Sequence, residues 1–285
     1  MTVGTRADKV LQWPGLRGMA ALGLVGLALL TGCATSSGTG FAQSQEEAAT
    51  AAASGGEGES DAQRRARIRL ELAASYFERG QFNVALDEIR QVLAINPNLA
   101  DAYNLRGLVF MRLDDQAMAQ ESFRRAASLR PNDPDVAHNY GWLLCQQKNY
   151  VQAQQQFEQA LAQRNYTARH KTFMAQGLCL QAEGKEAPAL QALLKSYELD
   201  PGNPVVGYNL ALLLRRQGDL ERAQFYIRRL NNNSNQASAE SLWLGIKIDR
   251  ALHDDIGVRQ QADQLRERFP QSRQWLAYER GAFNE

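Results

Sequence analysis

The chain has 285 residues, enough for one or two ordinary domains with a sizeable core. Alanine, leucine, glutamine, arginine and glutamate dominate, and only 8 residues are proline, so the composition favours helices and argues against a β-sheet protein. Residues 1–32 carry three basic residues and one acidic residue, and without them the net charge falls from +1 to −1, which excludes the overall basic character of a nucleic-acid-binding domain.

The first 32 residues have the pattern of a secretory signal peptide. Basic residues precede an apolar run from Met19 to Leu30, and small residues follow it. The run is too short for a permanent transmembrane helix, which needs roughly 20 apolar residues. We therefore predict that residues 1–32 are a signal peptide that is removed from the mature protein.

The end of this segment, Leu30-Thr31-Gly32-Cys33, resembles the lipobox of bacterial lipoproteins. In proteins with that motif the cysteine receives a diacylglyceryl group, the signal is cleaved before it, and the new amino terminus is acylated. Several acyl chains on one residue anchor a protein stably. The resemblance implies a lipid anchor on Cys33 and, because Ala34 follows it instead of aspartate, attachment to the periplasmic face of the outer membrane. The alternative is an ordinary cleaved signal with an accidental cysteine.

Residues 33–63 hold the lipidated cysteine and a segment rich in alanine, serine, glycine, glutamine and glutamate, with Phe41 as its one aromatic residue. Such a segment cannot bury enough apolar surface to offset its ordering entropy. We predict a flexible tether with a random-coil span of roughly 30 Å, which would hold the folded body clear of the lipid.

Residues 64–270 repeat with a period of 34 residues. A small residue, an alanine twelve positions later, and a proline or asparagine twelve beyond that recur in five copies, with a degenerate sixth. Two extra residues separate the third and fourth copies. The small residues are Ala73, Gly107, Gly141, Gly177, Ala211 and Gly245.

This pattern resembles the tetratricopeptide repeat (TPR), a helical hairpin of 34 residues. The small residue and the alanine let two helices approach, and a large residue four positions after the alanine fills the space beside them. Gly80, Gly184 and Gly218 fall at the hairpin turns, where a positive φ ends the first helix, and Asp114 and Lys148 take that place in units two and three. We predict an all-α, right-handed superhelical solenoid of about six TPR hairpins, with residues 271–285 as a C-terminal capping helix.

No catalytic or metal-binding motif is present in the sequence. It contains no P-loop, strand-linked dinucleotide motif or nucleophile elbow, and His138, His170 and His253 have no metal-like partner three or four residues later. We therefore expect no catalytic residues, no metal, no cofactor apart from the covalent lipid on Cys33, no small-molecule substrate and no nucleic acid.

Cys145 and Cys179 lie on the first helices of adjacent units. Counted from the small residue of its own unit, however, Cys145 lies two positions further along the helix than Cys179 does. Cysteines whose Cα atoms are more than about 7 Å apart cannot be bridged. We expect two reduced thiols in preference to a disulfide.

Certain first-helix positions line a concave groove in TPR arrays. Carried onto this sequence they are mostly apolar and lack the evenly placed basic and amide side chains that would clamp a peptide carboxylate, so they favour a helical or extended apolar segment as ligand. The alternative is that some of them belong to the solenoid core. The positions are Asn104, Leu108, Met111, His138, Trp142, Cys145, Met174, Leu178, Tyr208, Leu212 and Arg215.

Two segments, His138 to Tyr150 and Ser241 to Lys247, resemble more specifically the PilF/PilW lipoproteins of type IV pilus biogenesis. The lipobox, the two-residue insertion and the six-unit count agree with this. The resemblance implies a pilotin, which brings the secretin to the outer membrane or stabilises its ring, with the secretin subunit and other pilus-assembly proteins as partners. Arg106, where leucine is usual, and the longer tether depart from that family.

Two other functions remain open at this point. One is a different periplasmic TPR scaffold lipoprotein that serves cell-wall enzymes or outer-membrane barrel assembly. The other is an enzyme built on a helical solenoid, which would need a convergent polar site that the groove positions do not supply.

Overall fold

The structure, a computed structural model, describes residues 60–283. Within this part of the chain it contains thirteen α-helices. They are α1 (Asp61–Glu78), α2 (Phe82–Ile95), α3 (Ala100–Arg112), α4 (Gln116–Leu129), α5 (Pro134–Gln146), α6 (Tyr150–Leu161), α7 (Arg169–Ala182), α8 (Glu186–Leu199), α9 (Pro204–Arg216), α10 (Leu220–Asn231), α11 (Ala239–Ala251), α12 (Asp255–Arg268) and α13 (Arg273–Glu279).

The first twelve helices form six consecutive hairpins, numbered here as units one to six. Each odd-numbered helix packs most extensively on the even-numbered helix that follows it, and each hairpin then packs on its neighbours. First helices of successive units also contact one another, as α3 does with α5 and α5 with α7, so they line one side of the stack. This arrangement confirms the predicted all-α TPR solenoid.

The hairpin turns end the first helices with a residue in the left-handed region. Gly80, Gly184 and Gly218 have φ values of 73°, 86° and 81°, as the sequence predicts. Asp114 and Lys148 adopt the same conformation, with φ values of 60° and 61°, although their side chains make it less favourable. His253, at 58°, takes this role in unit six, which the sequence analysis did not foresee.

Close packing between the two helices of a hairpin explains the glycines of units two to four. A Cβ atom added at Gly107 would lie 2.6 Å from the Phe123 ring, and one at Gly177 would lie 2.7 Å from the Leu193 side chain. Phe123 and Leu193 are fully buried. The predicted pairing of a small residue with a large one sixteen positions later is therefore confirmed.

Polar groups fill the junction between units five and six. The Asp249 carboxylate is fully buried and accepts hydrogen bonds from Gln224 (2.7 Å), Arg228 (3.1 Å) and Gln261. A Cβ atom at Gly257 would lie 2.5 Å from an Asp249 carboxylate oxygen, so glycine leaves the space that this network occupies. Arg228 also pairs with the half-buried Asp254, so this carboxylate belongs to the same junction.

The helix α13 covers the last hairpin by packing against α11 and α12. Trp243 of α11 stacks on Phe283 with ring centres 5.4 Å apart, and the Arg250 guanidinium lies 3.8 Å from the centre of the same ring. Aromatic side chains thus close the apolar end of the solenoid.

The array begins at Ser60, whose side chain and the side chain of Gln63 cap each other's backbone N–H groups. Helix α1 therefore includes three residues that the sequence analysis assigned to the tether. The predicted signal peptide, Cys33 and the predicted tether up to residue 59 lie outside the described residues. No helix within residues 60–283 combines the length and the apolar character needed to cross a membrane.

Candidate functional site

The predicted groove residues lie on four successive first helices, α3, α5, α7 and α9. Nine of the eleven are half-buried, so each presents part of its side chain to solvent. Cys145 and Met174 are only 7% and 8% exposed and belong to the core, as the alternative interpretation allowed for some positions. The half-buried residues are Asn104, Leu108, Met111, His138, Trp142, Leu178, Tyr208, Leu212 and Arg215.

The apolar members of this set are anchored in the core by one side and exposed on the other. Leu108 and Met111 pack against a cluster that contains Phe123. Trp142 packs against the cluster that contains Phe157 and both cysteines. Leu178, Tyr208 and Leu212 pack against a third cluster, which extends from unit four to unit six. Because the core already restricts these side chains, they lose little conformational freedom when a ligand contacts them.

Hydrogen bonds tie the first helices together at the groove. The Asn139 amide donates to the Asn104 side-chain oxygen at 3.1 Å, which links α3 to α5. His138 Nδ1 lies 2.9 Å from Thr172 Oγ1, which links α5 to α7. Thr172 is fully buried and also bonds to the Tyr166 hydroxyl at 2.8 Å. Thr172 and Tyr166 gave no signal in the sequence, because neither recurs from unit to unit.

His138 is a neutral hydrogen-bonding group in this setting. Burial, assisted by the positive charge of Lys171, lowers its pKa to about 4. Because the folded-state pKa is below the unfolded value of about 6.5, this group stabilises the fold above pH 6.5 and loses that contribution as the pH falls towards 4. At neutral pH the centre of the groove is therefore without a charge from this histidine.

Cys145 and Cys179 form a disulfide, with Cα atoms 5.8 Å apart, so the expectation of two separate reduced thiols is wrong. The expectation relied on the small residues of units three and four, which are 36 positions apart. Between α5 and α7, however, the residues that lie opposite one another are 34 apart, as His138 and Thr172 also show. The two-residue insertion changes the register between these hairpins while each hairpin keeps its internal register.

Arg106, which departs from the resemblance noted in the sequence, serves within its own hairpin. Its guanidinium donates to the buried Ser122 hydroxyl and to Glu121, both at 2.9 Å, and lies 5.0 Å from the centre of the Tyr103 ring. These contacts join α3 to α4 by polar bonds where a leucine would do so by apolar packing.

The described residues contain no group of three or more His, Cys, Asp or Glu side chains placed to hold a metal ion. The groove instead combines partly exposed apolar surface with a few neutral polar groups and the cationic Arg215. That composition suits contact with a protein segment, in which apolar anchors supply affinity and polar groups set orientation.

Comparison with known families identifies the repeats. A family described as "TPR repeat" matches residues 73–114, and one described as "Tetratricopeptide repeat" matches residues 115–177. The chain is also 28% identical to the type IV pilus assembly protein PilF of Pseudomonas aeruginosa over 209 residues, which cover 73% of this chain and 82% of PilF. It is 32% identical to an uncharacterized protein of Haemophilus influenzae over 133 residues, or 46% of this chain and 73% of that protein.

Solved structures give the same relationship. The structure of Pseudomonas aeruginosa PilF superposes with a TM-score of 0.70 and 26% identity, covering 78% of this chain and all of that one. PilW, described as a widely conserved type IV pilus biogenesis factor, superposes with a TM-score of 0.67 and 28% identity, covering 75% of this chain and 97% of PilW. The similarity therefore extends over most of the hairpin array.

Proposed function

Because the chain belongs to the tetratricopeptide-repeat proteins and is a homologue of PilF and PilW, we propose that it acts in type IV pilus biogenesis as a pilotin. In this role it is an outer-membrane lipoprotein that binds the secretin subunit and promotes its localisation or assembly. The proposal depends mainly on the similarity to PilF, which extends over 82% of that protein's length. It acts by binding and not by catalysis, in keeping with the repeat family.

The inner surface of units two to five is the proposed secretin-binding groove. Trp142 and Leu178 lie on adjacent first helices, and each is supported from behind by a core cluster. A half-exposed tryptophan offers large contact area with few rotatable bonds, which is typical of residues that dominate binding energy. The ligand is accordingly an apolar segment of the secretin.

We expect Trp142→Ala to weaken binding of the purified secretin subunit by roughly thirtyfold, which corresponds to about 2 kcal/mol for one interface anchor. Affinity and thermal midpoint should be measured on the same variant, because Trp142 also contacts the core. Loss of core packing alone would appear as a fall in stability of about 3–5 kcal/mol with affinity retained by the folded fraction.

Val151→Ala is the matched control. Val151 lies on the second helix of the same unit and is 68% exposed, so its truncation should change neither quantity. Undiminished secretin affinity of the double variant Trp142→Ala with Leu178→Ala, in a folded protein, would refute the groove as the binding site.

The lipid anchor is tested separately at Cys33. Cys33→Ser removes the thiol that the lipobox chemistry requires, so the variant should lose acyl-chain labelling and leave the membrane fraction. Cell fractionation combined with metabolic labelling by a palmitate analogue measures both effects. Labelling and membrane association equal to those of the wild-type chain would contradict a lipid on Cys33.

A further inference from the structure

A polar cavity of about 230 Å³ lies between units four and five, outside the first-helix groove. Its walls come from the end of α8, from Pro204 and Gly207 of α9, from α10, and from the turns that precede α9 and follow α10. Tyr197, Tyr226 and Arg229 are the chemically distinctive residues of this wall, which contains no acidic side chain. We call it the Tyr197 pocket.

The two tyrosines form a rigid aromatic corner. Their rings are perpendicular, with centres 4.9 Å apart. Phe225 packs against Tyr226 at 5.2 Å and is 56% exposed, so it extends the aromatic surface beyond the mouth of the pocket. Aromatic side chains with an adjacent arginine have the composition that is enriched where proteins bind partners.

Arg229 differs from its counterparts in units two and three. The residues compared lie six positions after the alanine of each unit. At this position Arg125 donates to Asn98 at 2.8 Å and Gln159 donates to the Pro131 carbonyl, so both fasten the preceding turn. Arg229 holds the same position, yet its guanidinium lies 5.7 Å from the Tyr197 ring centre and pairs with no carboxylate in residues 60–283.

The turn that Arg229 would fasten is held instead by Gln236, which donates to the Gly202 carbonyl at 2.9 Å. The positive charge at the pocket is therefore not needed to hold the turn.

The Tyr197 hydroxyl is buried, and its proton has no acceptor among the described residues. Burial raises the pKa of this phenol and outweighs the opposite influence of the Arg229 charge and of a hydrogen bond that Arg229 donates to it, so the phenol keeps its proton at neutral pH. A buried donor without an acceptor destabilises the folded state. A ligand that brings an acceptor would remove that penalty.

We propose that the Tyr197 pocket binds a carboxylate carried by a peptide segment of a partner protein. Two donors, the phenol of Tyr197 and the guanidinium of Arg229, adjoin one small cavity, and a carboxylate accepts from both while neutralising the unpaired charge. The volume admits an acidic side chain or a chain terminus. This site is distinct from the secretin groove, because none of the predicted groove residues lines it.

Three fluorescent heptapeptides that share one neutral sequence with a single phenylalanine test the proposal. The first has a free C-terminal carboxylate, the second a C-terminal amide, and the third the amide together with one internal glutamate. Fluorescence anisotropy with the full-length chain should detect binding of the first or the third, and which of them binds identifies the carboxylate as a chain end or a side chain. Binding of the uncharged amide peptide with equal affinity, or of none of the three, would overturn the proposal.

Variants locate the binding. Arg229→Gln should weaken it by about tenfold or more and Tyr197→Phe by about fivefold, as expected for a charged and a neutral hydrogen bond. Arg222→Gln is the matched control, since Arg222 lies on the same helix but pairs with Asp219 at 2.9 Å and should not affect the affinity. Trp142→Ala should retain peptide binding, so failure of the secretin groove and failure of this pocket are distinguishable. Unchanged affinity of a folded Arg229→Gln variant refutes the assignment.

Discussion

Loss of the disulfide between Cys145 and Cys179 should lower the free energy of unfolding by about 4 kcal/mol at 25 °C. The bond joins residues separated by 34 positions, and closing a loop of that length in the unfolded chain removes conformational entropy of this size. It also joins α5 to α7 at the end opposite the hydrogen bond between His138 and Thr172, so both ends of the contact are fixed.

Urea unfolding of the double variant Cys145→Ala with Cys179→Ala measures the free energy of unfolding that is lost when the bond and the two buried sulfur atoms are removed together. The wild-type chain with and without reductant gives the effect of the bond alone. Reductant should leave the double variant unchanged, which is the control for non-specific action. A wild-type midpoint that does not respond to reductant would show that the covalent link contributes nothing to stability.

The second large effect is expected for Gly141→Leu. This change should lower the free energy of unfolding by at least about 3 kcal/mol, which is the upper end of the destabilisation typical of overpacked cores. A Cβ atom at Gly141 already lies 2.8 Å from the Phe157 ring and 3.2 Å from the Ala153 carbonyl oxygen. The carbonyl belongs to the backbone of the facing helix, so relief requires the hairpin to open and not only a ring to turn.

Gly207 supplies the matched comparison for an alanine substitution. A Cβ atom there has its nearest neighbour at 3.9 Å, so Gly207→Ala should be neutral or should stabilise the helix by up to about 1 kcal/mol. Gly141→Ala, by contrast, should destabilise. Thermal and urea unfolding of these variants measure the difference, and equal stability of Gly141→Leu and the wild-type chain would show that the register of unit three is wrong.

The internal register of each hairpin could be predicted from sequence because it depends on local, repeated contacts. Gly107 and Phe123 are sixteen residues apart, and the same spacing recurs at Gly141 and Phe157, so one physical constraint appears several times in the sequence. Residues with positive φ were predictable at Asp114 and Lys148 for the same reason. His253 was missed because the sixth unit retains too few of the repeated positions.

The contacts between hairpins were harder to predict, since each occurs once. The insertion after unit three changes how α5 faces α7, and no repeated spacing records that change, so the disulfide was missed. Nor does the repeat reveal which groove residues a neighbouring helix covers, as for Met174. Tyr197 and Arg229 gave no signal in the sequence, because they lie on second helices and the groove is predicted from first-helix positions.

The polar junction between units five and six bears on how this array could change in evolution. Repeat proteins gain and lose units readily where neighbouring surfaces are apolar and interchangeable. A copy of unit six placed after unit four would bury Asp249 opposite Leu190 and Leu194 in place of Gln224 and Arg228, and an uncompensated buried charge is strongly destabilising. Loss of unit five is therefore disfavoured, because unit six depends on the polar residues that unit five presents to it.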